Sequence, residues 1–172
     1  MDSELRRERI LSTIKSQTAP ISASALAKSL NVSRQVIVGD VALLRAGGNE
    51  IVATARGYVI PELKGANRYI GKVACRHTAA DTKSELYAIV DLGATVADVI
   101  VEHELYGEIA GGLNLSSRAD VDEFMKKAEL SNSKLLSELT QEVHLHTIFC
   151  RDRAHFDKVY EALAANGYIF EN

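Results

Sequence analysis

The breaks in the first sixty residues constrain this chain more than any other feature. Leu5, Ile10, Leu11 and Ile14 fall at helical spacing, with Arg6, Arg7, Arg9 and Lys15 between them, which predicts a basic amphipathic helix of about three turns. Pro20 interrupts the run, because proline cannot continue a helix and disfavours helical geometry in the residue before it. Ser22 or Ser24 can cap a short second helix over Ala25–Leu30, with Leu26 and Leu30 inward. Asn31-Val32 makes a tight turn, and Ser33 caps a third helix over Arg34–Arg45 whose expected buried stripe is Val36, Ile37, Val41 and Leu44. Gly47-Gly48 ends that helix, and Ile51–Thr54 with Tyr58–Ile60 reads as a hairpin turning at Ala55-Arg56-Gly57. Three helices and a hairpin, with a short turn between the second and third helices, describe a winged helix-turn-helix.

That geometry carries a function. A recognition helix presents its N-terminal residues to the major groove, here Ser33, Arg34, Gln35 and Val38. Arg grips guanine through two hydrogen bonds and Gln does the same to adenine, while Arg56 at the hairpin tip is placed for a phosphate or the minor groove. Small three-helix domains also serve as protein-docking modules, but the basic first helix and the Ser33-Arg34-Gln35 start favour DNA. Charge agrees. The first sixty residues hold eight Lys/Arg against five Asp/Glu, whereas the rest holds twelve against eighteen. A mildly basic part joined to an acidic one suggests a nucleic-acid-facing segment and a second segment with another task.

The 172 residues make one large or two small domains, and a composition 47% hydrophobic and 25% charged can bury a core. No apolar run approaches the roughly 18 to 20 residues needed to cross a bilayer, and the start, Met1 to Arg7, is charged where a secretory signal would be apolar. Cys75 and Cys150 form neither a disulfide framework nor a CxxC motif. A reducing cytoplasm is the expected compartment, with no membrane partner.

Beyond a short linker at 61–65, strands are predicted over 69–75, 94–102, 108–115 and 142–150. Helices are predicted over 82–90 and 118–129, with a third opening at Asp152 and carrying Phe156, Val159, Tyr160 and Leu163 inward. Strands and helices interleave without a βαβ rhythm, so the expected architecture is α+β, a sandwich of an antiparallel sheet with helices on one face. His144 and His146 are two apart on one strand and therefore project on the same side, opposite the apolar Val143, Leu145 and Phe149 that are expected to face the core. Two such imidazoles can share one divalent metal. His77 follows the first strand of this part, and Glu85 lies early in the next helix, within reach of it. Three imidazoles and a carboxylate suit zinc, nickel, iron(II) or manganese. Each residue also has a plainer reading: Thr82-Lys83-Ser84-Glu85 fits a capping box, and the two cysteines fit either thiolate ligands or small buried apolar residues. Asp81, Asp91 and Asp98 show no meaningful cluster.

Several motifs connect the chain to a known family. Ser33-Arg34-Gln35 through Asp40 and Leu43-Leu44-Arg45 resemble the helix-turn-helix of biotin-repressor-type regulators. Cys75-Arg76-His77, Glu85-Leu86, Ile89-Val90-Asp91, Asp98-Val99, His103, Tyr106-Gly107, Ser117-Arg118 and above all Leu139-Thr140 followed by Val143-His144-Leu145-His146-Thr147 resemble the 3H domain, named for its histidines. Together the chain resembles the NiaR-type nicotinic-acid-responsive repressors of bacterial NAD biosynthesis. The resemblance implies a winged helix-turn-helix over 1–62 and a 3H regulatory domain over 66–172. It implies a metal held by His77, Glu85, His144 and His146. It also implies a homodimer on a double-stranded DNA operator, with nicotinic acid as corepressor, shutting genes for NAD synthesis or niacin uptake. Arg118 or Arg76 would then meet the ligand carboxylate through a bidentate pair, with His103 and Tyr106 as further ligand candidates, and ligand binding would favour recognition helices set about 34 Å apart, one turn of DNA. The chain departs from the family pattern at Glu104, where Pro is usual after the histidine, and at Glu142, where Gly is usual before the HxH strand.

Two other classes stay open: a repressor gated by metal alone or by another small metabolite, and a metal-dependent enzyme with an accessory helix-turn-helix. Catalysis has little support, since the chain has no Gly-rich phosphate loop, GxSxG, HExxH or CxxC. A biotin ligase is disfavoured by the lack of a Gly/Arg-rich adenylate loop.

Overall fold

The computed structural model describes residues 2–61 and 68–171. Backbone contacts divide the chain into two compact units, Met1–Lys64 and Gly65–Asn172, and most of the expected linker at 61–65 lies outside the described residues.

In the first unit, α1 (Ser3–Lys15), α2 (Ala23–Leu30) and α3 (Arg34–Ala46) precede a hairpin of β1 (Val52–Thr54) and β2 (Gly57–Val59). The serine caps form: Ser22 Oγ accepts from the Ala25 N–H and Ser33 Oγ from the Val36 N–H. Asn31 closes α2 in the left-handed region, φ 55°. Ile21 and Tyr58 exchange both backbone hydrogen bonds, tying β2 to the segment before α2. The core gathers Ile10, Ile14, Leu26, Ile37, Val41 and Ile51.

The stripe of α3 differs from expectation. Its inward residues are Ile37, Asp40, Val41 and Leu44, which follow the i, i+3, i+4, i+7 pattern. Val36 sits outside that set and is 37% exposed. A buried acid in the stripe, paired with Arg6 of α1 at 2.5 Å, concealed the register. Leu5 is also exposed, so the inward face of α1 begins effectively at Ile10.

The second unit runs β3 (Tyr69–Arg76), a 3-10 turn at Ala79–Asp81, α4 (Thr82–Val90), β4 (Thr95–His103), β5 (Gly107–Leu115), α5 (Arg118–Ser131), a 3-10 turn at Leu136–Leu139, β6 (Val143–Cys150) and α6 (Arg153–Ala165). The strands form one antiparallel sheet in the order β3-β6-β4-β5. The last strand in sequence is thus inserted between the first two, which places His144 and His146 at the middle of the sheet. Helices cover one face: Gly71 lies so close under Phe156 of α6 that a Cβ there would fall 2.2 Å from the ring. Tyr160, expected inward on α6, is instead 39% exposed, while Phe156, Val159 and Leu163 are buried. Past α6, Ile169 bridges Cys75, and the Arg76 N–H donates to the Tyr168 carbonyl, so the C-terminal segment runs along β3.

Candidate metal centre

The parity argument for β6 holds, and its direction reverses. His144 and His146 share a face with Ile148 and Cys150, and that face is the buried one beneath the helices. Val143, Leu145 and Phe149 are half-buried on the other side, contrary to the expectation that they would face the core. Hydrophobicity alone assigned the sides wrongly because the imidazoles are buried against a polar partner. That partner is Glu85, which points inward from α4 at 1% exposure. The N-cap of α4 has no side-chain bond, so Glu85 closes no capping box.

Three imidazoles surround this carboxylate. His77 Nε2 lies 2.6 Å from Glu85 Oε2, while His144 Nε2 and His146 Nε2 lie 3.1 and 3.3 Å from Oε1. Each ring is fixed from behind by a main-chain carbonyl: Nδ1 of His77 donates to Thr78 O at 2.8 Å, that of His144 to Glu142 O at 2.8 Å, and that of His146 to Asp98 O at 2.7 Å. A carbonyl only accepts, so each Nδ1 carries a proton, and each neutral ring turns the lone pair of Nε2 toward the centre. Only the His144 contact has hydrogen-bond alignment. His77 Nε2, His146 Nε2 and Glu85 Oε2, although close, are buried polar atoms with no hydrogen-bond partner. Lone pairs and a carboxylate converging without protons between them repel, unless protons or a cation enter. Unpartnered buried groups of this kind are costly and rare.

The electrostatics agree. Burial pushes the Glu85 carboxyl up, but the three imidazoles outweigh it and hold the group well below the ordinary carboxylate value. Burial lowers His77 and His146, and the Glu85 carboxylate more than reverses this, so both end above the usual imidazole value. The cluster attracts positive charge. Carbonyls holding Nδ1 while Nε2 faces inward are the outer-shell arrangement of metal-ligating histidines, and three imidazole nitrogens with one carboxylate suit a borderline divalent ion. The residues present therefore fit a metal. Cys75 borders the same chamber, its Sγ within 4.8 Å of a Glu85 oxygen and a His144 nitrogen. Burial first and Glu85 second push its thiol up, and burial does the same for Cys150, so both remain small buried thiols.

Asp98, which spacing gave no reason to select, supports the site twice: its carbonyl holds His146, and its Oδ1 accepts the Thr147 N–H at 2.9 Å. The separation of 48 residues leaves no local signal. The ligand candidates are scattered. The bidentate fork of Arg118 is filled by Asp91, at 2.7 and 2.6 Å, with the guanidinium 4.2 Å over Tyr87. Arg76 alternates with Cys75 and so faces away from the imidazoles. His103 Nδ1 accepts from the Leu105 and Tyr106 N–H groups, and its ring lies beside Tyr106 in the β4–β5 turn. On α3, Arg34 and Gln35 are exposed in the first turn, Ser33 caps the helix, and Val38 is half-buried against the core. The exposed apolar residue of that turn is Val36, which helical spacing alone predicts to be inside. Arg56 follows the end of β1, where its N–H donates to Thr54 Oγ1.

Comparison with known proteins matches residues 70–172 to the 3H domain and residues 6–59 to an HTH domain. The chain is 38% identical over 169 residues to the transcription repressor NadR of Bacillus subtilis, covering 97% of this chain and 94% of that one. It is 40% identical over 171 residues to the probable transcription repressor NiaR of Thermotoga maritima, covering 97% and 96%. With an HTH domain ahead of a 3H domain whose histidines converge on one buried carboxylate, the chain belongs to the 3H-domain family.

Proposed function

We propose that this chain is a DNA-binding repressor of NAD-biosynthesis or niacin-uptake genes, acting as a homodimer, with a divalent metal in the second unit and nicotinic acid as corepressor. The observation that carries the reading is the convergence of His77, His144 and His146 on Glu85, with buried polar atoms left unpartnered. A site prearranged at that cost of desolvation is a sensor component; a purely structural core would fill the space with apolar side chains. The HTH match and the two repressor relatives support DNA as the target. The name of the Thermotoga maritima relative, with the family resemblance, supports niacin as the signal.

When bound, the metal supplies a Lewis-acidic position for a pyridine nitrogen or a carboxylate. The chain's own residues do the rest. Thr78, Glu142 and Asp98 fix the three rings through Nδ1, so the donor set loses little entropy on binding. Arg34 and Gln35 stand at the exposed start of the recognition helix, where Arg fits guanine and Gln fits adenine. Arg118 reaches a ligand carboxylate only by releasing Asp91, which makes that pair a candidate exchange contact.

The test is DNA-binding anisotropy with metal-loaded full-length protein and duplexes from upstream of NAD-synthesis and niacin-uptake genes. Nicotinate is expected to tighten binding at least about 10-fold, a coupling of about 1.4 kcal/mol, and nicotinamide and quinolinate are expected to fail. Full DNA affinity with metal alone would replace the reading with metal gating. Chemical turnover of an added pyridine would make the chain an enzyme.

A further inference from the structure

Gly39 breaks a local rule, and nothing inside the chain compensates for it. Among the described residues it is the one glycine that lies within a helix, near the middle of α3. Glycine there destabilises a helix relative to alanine, because it loses more backbone freedom on folding. The residue suits a place where the backbone turns left-handed or where another group presses close. Neither condition is met within the chain. The backbone stays helical through Gly39, with no positive φ, and a Cβ built there meets nothing within 4 Å. Gly71 and Gly57 differ, since a Cβ would strike Phe156 in the first case and the Ile21 carbonyl in the second. Helical spacing fixes the side on which Gly39 stands. Ile37, Asp40, Val41 and Leu44 turn inward, so the opposite line runs through Gln35, Gly39 and Ala42, all exposed. Val36 and Leu43 flank Gly39 at i−3 and i+4, apolar side chains left 37% and 59% exposed.

We propose that Gly39 sets how deeply α3 enters the major groove of DNA. Its bare backbone lies against the base edges, and Val36 and Leu43 lie beside it against thymine methyl groups. A side chain at position 39 would hold the helix off the groove floor. The hydrogen bonds of Arg34 and Gln35 to bases would suffer first, because they weaken steeply with distance and angle. Phosphate contacts would suffer less, because attraction between charges falls slowly with separation. Gly39 is therefore a specificity-determining residue, and the helix stability given up at this position is recovered in sequence discrimination. The inference rests on the DNA-binding reading above and adds the residue that fixes groove depth. It is independent of which ligand controls the repressor.

The probe is the duplex that the metal-loaded, full-length wild-type chain enriches from a randomised pool, selected with and without nicotinate. Anisotropy then compares that duplex with poly(dI·dC), which serves as non-specific DNA. Gly39→Ala is expected to raise Tm by about 3 °C, because helix propensity improves and the added methyl meets nothing. The same variant is expected to bind the enriched duplex at least about 10-fold more weakly, with poly(dI·dC) affinity within about twofold of wild type. Misfolding cannot make a protein both more stable and a poorer reader of sequence. Gly39→Gln, with a longer side chain, is expected to lose the preference between the two DNAs altogether. Unchanged preference in both variants, or an equal loss on both DNAs, overturns the role of Gly39 and leaves the DNA-binding repressor standing. A fall in Tm for Gly39→Ala also overturns it, since the fold itself would then need the glycine. A wild-type chain that enriches no duplex under either condition overturns the inference and the DNA-binding reading together.

Discussion

Among the described residues two carboxylates are buried, one in each unit, and they are satisfied in opposite ways. Asp40 of α3 is 4% exposed and meets Arg6 through both guanidinium Nε and Nη2, with Arg7 a further 3.7 Å contact. Those cations are covalently part of the chain and permanently charged, so the pair is complete in itself and fastens α1 to α3. Glu85 is 1% exposed, and its ion-pair partners among the described residues are all imidazoles, whose charge depends on pH and whose inward nitrogens are otherwise lone pairs. A buried charge with a built-in partner is architecture. A buried charge whose neighbours can exchange protons for a metal has the chemistry a receptor needs.

The largest expected break in that comparison is Glu85→Gln. The neutral isostere keeps the shape and removes the anionic donor, so metal affinity should fall at least about 100-fold, read by competition with a chelator. Unchanged affinity would remove Glu85 from the site. Acid should act in the same direction more gradually. The raised values of His77 and His146 belong to the metal-free protein: their stabilising contribution is fully present below the unfolded value near 6.5 and is lost as pH rises through the higher folded value. Metal needs those nitrogens unprotonated, so its affinity should fall about 10-fold per pH unit for each proton displaced. The difference in Tm between metal-loaded and metal-free protein should therefore shrink from pH 8 to pH 6. A constant difference would show that no proton is exchanged. Asp40→Asn supplies the contrast: it should lower Tm by about 5 °C with and without metal alike, leaving metal affinity unchanged.

What was legible in advance follows the same division. The helix-turn-helix order could be read because prolines, glycines and serine caps act locally, within a turn of where they stand. The shared side of His144 and His146 could be read because strand periodicity is local too. Which side it was depended on β6 inserting between β3 and β4, and on Glu85 arriving from α4, neither of which leaves a trace in neighbouring residues. Asp98 was passed over because much of its work is done by a carbonyl, which every residue has. Asp40 blurred the stripe of α3 because a buried acid looks like a surface residue until Arg6 is seen beside it. Arg118 looked available because Asp91, 27 positions away, is joined to it only through folding.

The smallest expected effect concerns the turn before β6, whose backbone holds the His144 ring. Gln141 and Glu142 have φ of 53° and 71°, two consecutive residues in the left-handed region that favours glycine. Glycine is the residue this backbone favours at position 142, because the turn must aim the carbonyl of residue 142 at His144 Nδ1. The side chain contributes nothing to that contact. Glu142→Gly keeps the carbonyl and relieves the strain, at some cost in unfolded-state entropy, so the net gain should be about 0.5–1 kcal/mol in urea unfolding with metal affinity within about twofold of wild type. Glu142→Val should lose stability by a similar amount, because a β-branched residue tolerates positive φ poorly. If both substitutions lowered metal affinity strongly and equally, the Glu142 side chain would have a role in the receptor that its geometry does not show, and the division between a self-sufficient unit and a receptive one would have to include the turn before β6.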